Sequence, residues 1–148
     1  MEPIFFNSSS QHYKEFSNFY VAPFILDEST WNTVEHYFQA QKFPTDPLLQ
    51  QQIREAKSAT VAKRLGRTRS PHFSTSWDMD KEIVMERALR AKFTSHEDLK
   101  KLLKSTNPRP LVEKSWWDSY WGSGKTGTGK NRMGYLLEKI RNELLAIP

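Results

Sequence analysis

Glu35, Gln39 and Lys42 recur at i, i+4 and i+7, so a helix through them would set a carboxylate, an amide and an amine along one face. A carboxylate can stabilise a developing cation, protonate a leaving nitrogen or activate water. An amine can attack carbon if burial lowers its pKa. Val34, Tyr37 and Phe38 form the adjoining apolar stripe, which puts the polar trio at the rim of a core. An ordinary amphipathic helix with Glu35 and Lys42 in water has the same spacing. A second amine, Lys92, falls on the stripe of Met85, Leu89 and Phe93. It either snorkels to water or is desolvated enough to become a nucleophile. Arg67 and Arg69 lie in a loop where two guanidinium groups can clamp a phosphate or stand solvated.

The segment from Trp116 to Asn131 is rich in aromatics, then in glycine. Gly122 to Gly127 matches the dinucleotide fingerprint, and Gly124 to Lys130 matches a phosphate-binding loop except that Asn131 replaces the magnesium-ligating Ser or Thr. No strand precedes these glycines in the pattern and no βαβ unit follows, so both matches are read as accidental. What survives is physical: glycines with Lys125 and Lys130 ahead of a helix N-terminus offer backbone N–H groups and positive charge to an anion. Asp118 is a candidate for orienting a sugar hydroxyl or assisting proton transfer, with turn capping as its plain alternative. Trp77 and Trp121 are candidates for stacking on a base, with core packing as theirs.

The elements that would position these groups follow from caps and periods. Ile4 to Asn7 and Pro23 to Leu26 read as short strands of one small sheet, the second ending in a turn at Asp27-Glu28. Thr33 caps the first helix, and Asp46-Pro47 opens a second through about Arg54. Ser58 opens a third that stops at Gly66, where a missing Cβ lets the chain turn. A helix from about Met79 to Phe93 follows, then one started by a capping box at Ser95-His96-Glu97-Asp98. After an extended Leu111-Val112-Glu113, a C-terminal helix packs Met133, Leu136, Leu137, Ile140 and Leu144 inward. The fold expected is α+β and mainly helical, with a small N-terminal β element, and residues 1–148 form one domain.

Composition narrows the function. A net charge of +5 and 22 Lys+Arg favour phosphate-bearing partners, nucleotides or nucleic acid. There is no cysteine, hence no disulfide and no thiolate site, and His12, His36, His72 and His96 lack ligand spacing, so no metal and no cofactor are expected. No apolar run is long enough to span a bilayer, and the chain reads as cytosolic without a membrane partner. Five Trp, five Tyr and nine Phe exceed what such a core needs and leave rings for a flat ligand.

The chain resembles the NADAR family nearly end to end. The likeness is carried by Phe16-Ser17-Asn18-Phe19, Trp31, Glu35 to Phe43, Gly66-Arg67, Trp77, Val84-Met85 and Arg87 to Phe93. It continues through Leu111-Val112-Glu113, Asp118, Tyr120-Trp121-Gly122, Gly129 to Arg132 and Gly134 to Leu137. The resemblance implies an N-glycosidase that cleaves the bond between a phosphorylated ribose or ADP-ribose and a nitrogenous base. The substrates it implies are ADP-ribosylated guanine, with nucleic acid as a candidate partner, and early riboflavin-pathway intermediates. It also implies a Schiff-base route in which a lysine attacks the anomeric carbon. Carried onto this sequence, the catalytic candidates are Glu35, Lys92, Lys42 and Asp118. Asn18, Phe19, Gln39, Arg67, Trp77, Trp121, Gly122, Lys125, Lys130 and Asn131 are candidates for substrate binding. Between the lysines, the apolar stripe favours Lys92 as nucleophile, with Lys42 held charged by Glu35 or by substrate phosphate. The sequence departs from the family at Pro71 to Ser76, which is less basic, and at Trp116-Trp117. Rival readings are a non-enzymatic ADP-ribose or nucleic-acid binding module and a P-loop nucleotidase.

Overall fold

The computed structural model describes residues 1–148. The fold is α+β and mainly helical, and it divides into two compact units, Val21–Ser95 and Met1–Tyr20 with His96–Pro148. No helix is long and apolar enough to cross a membrane.

In the unit Val21–Ser95, β2 (Phe24–Leu26) and β3 (Ser29–Trp31) form an antiparallel hairpin, Phe24 opposite Trp31. Asp27 and Glu28 make its two-residue turn with φ of 52° and 65°, the left-handed pair such tight hairpins need. Helix α1 (Val34–Ala40) is the centre of this unit, packed by α2 (Pro47–Arg54), α3 (Ala59–Leu65) and α4 (Trp77–Ser95). The caps foreseen at three of these helices are formed. Thr33 accepts from the His36 N–H at 3.1 Å, Asp46 from Leu49 at 3.2 Å and Ser58 from Val61 at 3.2 Å.

Neighbours on so many sides overturn the expected one-sided stripe, because every residue from Val34 to Ala40 is buried. His36 is part of the reason. Its Nε2 lies 2.9 Å from the Ala56 carbonyl, which can only accept, so Nδ1 takes the Thr33 hydroxyl proton at 2.7 Å. The ring is neutral and ties α1 to the α2–α3 connection. Burial lowers its pKa against the opposing pull of the Ala56 carbonyl.

In the other unit, β1 (Ile4–Phe6) runs parallel to β4 (Leu111–Glu113), Ile4 opposite Leu111. The single sheet expected from the first two strands is therefore two sheets, since β1 pairs with a strand more than a hundred residues on. Helix α5 (Glu97–Ser105) packs on α6 (Arg132–Leu145), and α6 on β4. The expected capping box at Ser95 does not form: Ser95 ends α4 and His96 is the N-cap of α5 with no side-chain capping bond. Helix α6 lies so close to β4 that a Cβ on Gly134 would sit 1.9 Å from the Leu111 carbonyl oxygen.

Candidate active site

Helix α1 carries Glu35 and Gln39 on successive turns, 4% exposed each, and Gln39 Nε2 donates to Glu35 Oε2 at 2.7 Å. A buried carboxylate needs such donors, since burial without them disfavours its charged form. Lys42 follows just past the helix end and is half-buried. Its Nζ lies 6.0 Å from the Phe38 ring centre, and that ring meets Trp77 edge-on at 5.0 Å. The Lys42 carbonyl accepts from the Ser74 N–H at 2.8 Å, which anchors the loop between Arg67 and Trp77 at this spot.

Burial lowers the Lys42 pKa. The Glu35 charge works against that, while Arg67 and Lys63 add to the lowering. Glu35 favours the charged amine, and burial, with the two cations adding to it, outweighs that effect. Glu35, Gln39 and Lys42 are thus brought together, with Arg67, itself exposed, acting on Lys42 through its charge. Lys92 has no exposed surface, and its Nζ lies 5.1 Å from the Phe93 ring centre. It does not snorkel. Trp77 is 8% exposed and packs as a core residue.

The remaining candidates belong to the other unit. Asn18 and Phe19 are half-buried beyond a 3₁₀ turn (Lys14–Phe16), where the Phe19 N–H donates to the Ser17 hydroxyl at 3.1 Å. Asp118 Oδ1 accepts from the Tyr120 and Trp121 N–H groups at 2.9 and 2.8 Å, the turn-capping arrangement. Trp121 packs edge-on against Tyr120 at 5.0 Å. From Gly129 onward the glycine-rich loop bonds its backbone to the chain itself. The N–H groups of Gly129, Lys130, Asn131, Arg132 and Met133 donate to the carbonyls of Ser123, Ser119, Gly122, Tyr120 and Trp121. Asn131 has both amide ends engaged, accepting from Glu113 N–H at 2.9 Å and donating to the Leu111 carbonyl at 2.9 Å. Lys125 and Lys130 are exposed, each over a ring face, Trp116 at 5.5 Å and Tyr120 at 5.6 Å.

Two features escaped the sequence reading. Gly66 ends α3 in right-handed helical conformation (φ −64°), so it is not there to turn the chain. Its missing Cβ leaves room for the Gln39 amide, whose Oε1 would lie 1.9 Å from that Cβ. Tyr37 donates to Asp27 at 2.6 Å and accepts from Arg87 at 3.0 Å, while Arg87 pairs with Asp27 at 2.8 Å. Burial and the Asp27 carboxylate push the Tyr37 hydroxyl above its usual range. The phenol stays neutral and ties α1 to the hairpin turn and to α4. A tyrosine within an apolar stripe is the only sequence signal for this network.

Comparison with known proteins agrees with this architecture. The N-glycosidase YbiA of Escherichia coli (strain K12) is 50% identical over 139 residues, covering 94% of this chain and 86% of that protein. The chloroplastic riboflavin biosynthesis protein PYRR of Zea mays is 43% identical over 128 residues, 80% of this chain and 20% of its own length. The NMR structure of E. coli YbiA superposes with a TM-score of 0.88 at 49% identity, covering 97% of this chain and 85% of that one. With relatives this similar named N-glycosidases, the chain is a hydrolase acting on N-glycosyl compounds. Residues 4–145 match the NADAR domain, and the chain belongs to that family.

Proposed function

We propose that the chain hydrolyses the N-glycosidic bond between a phosphorylated ribose or ADP-ribose and a nitrogenous base, with Glu35 and Lys42 as the acting groups. The observation that carries this is one buried carboxylate held by an amide donor beside a half-exposed amine whose pKa burial lowers. Lys42 replaces Lys92 as the proposed nucleophile because an attacking nitrogen must be reachable, and Lys92 has no exposed surface. The neutral Lys42 amine forms a bond to the anomeric carbon. The carbon–nitrogen bond to the base breaks, its electron pair leaves on the base nitrogen, and that nitrogen takes a proton. Ring opening gives a protonated imine to Lys42. Water then adds to the imine carbon, and collapse of the adduct frees the amine and the sugar. Glu35 stabilises the positive charge and passes protons to the leaving nitrogen and from the entering water.

The substrate class is proposed to include ribosylated intermediates of riboflavin synthesis, in keeping with the names of relatives in Zea mays and Vibrio vulnificus. ADP-ribosylated guanine, free or in nucleic acid, is the other candidate. The decisive experiment incubates the protein separately with a ribosylamino-pyrimidine phosphate and with ADP-ribosylated guanosine or DNA, and detects free sugar by mass spectrometry. Borohydride added during turnover should trap the sugar on Lys42. A trap on Lys92 would reassign the nucleophile, and no trap with full activity in both lysine variants would leave direct attack by water activated by Glu35.

A further inference from the structure

We infer that Gln39 is the residue that positions Glu35, and that residue 66 is glycine so that the Gln39 amide has room to do it. The inference rests on the reading of Glu35 as an acting group. The Gln39 amide cannot turn over, because its carbonyl oxygen would then face the Glu35 carboxylate oxygen at 2.7 Å, acceptor against acceptor. With Nε2 committed to Glu35, Oε1 is directed at Gly66, where it is buried and has no hydrogen-bond partner. A buried acceptor without a donor is unfavourable, and an apolar side chain of similar size would avoid the loss. Packing alone therefore does not explain an amide at position 39. What the amide supplies is one fixed N–H to a carboxylate, which favours the ionised form and holds the carboxylate in one rotamer.

Gly66 completes the arrangement. A Cβ there would stand 1.9 Å from Gln39 Oε1 and 2.7 Å from Cδ, and the backbone at 66 is a conformation any residue adopts. The requirement for glycine is thus steric and points at one side chain. Any larger residue at 66 displaces the amide and breaks its bond to Glu35.

The test compares wild type with Gln39→Leu, Gly66→Ala, Glu35→Gln and the Glu35→Gln/Gln39→Leu double variant, using a ribosylamino-pyrimidine phosphate as substrate. Gln39→Leu should lower kcat at least about tenfold with little change in KM, and move the acid limb of the kcat/KM profile to higher pH. Gly66→Ala should do the same through displacement, and in the Glu35→Gln background Gln39→Leu should change nothing further. Carbon-13 titration of the Glu35 carboxyl needs no turnover. Its midpoint should rise in Gln39→Leu, where a lost donor leaves the ionised form less stable. A folded Gln39→Leu protein with unchanged kcat, acid limb and Glu35 titration overturns the inference. If Glu35→Gln itself retains full turnover, it is the underlying reading of Glu35 that fails, whatever Gln39→Leu does.

Discussion

Helix α1 and the glycine-rich loop before α6 both carry polar side chains, yet the structure uses them in opposite ways. Along α1 the backbone is consumed by the helix and the side chains of Glu35, His36 and Gln39 are drawn into the interior. Along the loop the backbone N–H groups from Gly129 onward and the Asn131 and Asp118 side chains are engaged by the chain's own carbonyls and amides, and the lysines stand outside. A loop can look like a phosphate cradle by composition and still spend the donors nearest its helix on itself, because buried or turning backbone must be satisfied by something. A short helix can look ordinary and bury a carboxylate beside an amine whose pKa burial lowers. Burial of a carboxylate and the lowering of a nearby amine are the signs of chemistry; a glycine count is not.

The largest effect that separates the two regions is expected at Glu35. Glu35→Gln keeps the shape and removes the charge, so turnover should fall by at least about a hundredfold if the group handles protons or stabilises the sugar cation. Steady-state rates on the substrate found by mass spectrometry, with circular dichroism to establish folding, check this. Near-normal turnover in a folded variant would move the chemistry off α1.

Asn131→Ala should show the reverse pattern, loss of stability with catalysis intact. Two hydrogen bonds to β4 disappear, and alanine must adopt the left-handed φ of 50° that Asn131 holds. Together these cost about 2–3 kcal/mol, which lowers Tm by roughly 2–4 °C for each kcal/mol in a chain of this size. Activity per folded molecule should stay within about twofold of wild type. A stable Asn131→Ala protein that no longer turns over would make the loop part of the site.

Much of this contrast was legible in the sequence where a single local rule decides. Asp46-Pro47 and Ser58 fix two helix starts because an N-cap needs only its own next turn. The stripe of Met85, Leu89 and Phe93 foretold that Lys92 is interior, and it has no exposed surface. What was not legible depends on distant partners. The parallel pairing of Ile4 with Leu111 leaves no local trace, and β3 is three residues long. Gly66 read as a stop signal because a glycine after a helix usually is one, whereas its function is to make room for a side chain 27 positions earlier in the chain. The lowering of the Lys42 pKa likewise depends first on burial and then on the cations of Arg67 and Lys63, which sequence spacing does not bring near it.

A smaller effect tests that electrostatic setting. Arg67 lowers the Lys42 pKa and Glu35 raises it, so Arg67→Ala should move Lys42 to higher pKa and Glu35→Gln to lower. Competitive acetylation across pH, read by peptide mapping, reports the neutral fraction of this one amine. Arg67→Ala should need higher pH for the same labelling, and Glu35→Gln should label at lower pH. Identical curves for the three proteins would mean that burial alone sets this amine.

The smallest change is expected for Lys125→Ala/Lys130→Ala. Both ammonium groups are exposed and lie over the rings of Trp116 and Tyr120, an interaction of about 0.5–1 kcal/mol in water. The N–H groups of Gly129, Lys130 and Asn131 beside the second lysine are already given to the carbonyls of Ser123, Ser119 and Gly122. An anion held by these two ammonium groups would meet exposed, screened charges, which is weak binding at ordinary salt. The double variant should therefore keep KM and kcat within about threefold of wild type, with Tm almost unchanged. Measuring KM at low and high ionic strength sharpens the point. A rise of tenfold or more at low salt, fading as salt is added, would show that the lysine side chains recruit a phosphate, and the loop would then be a second contributor to binding.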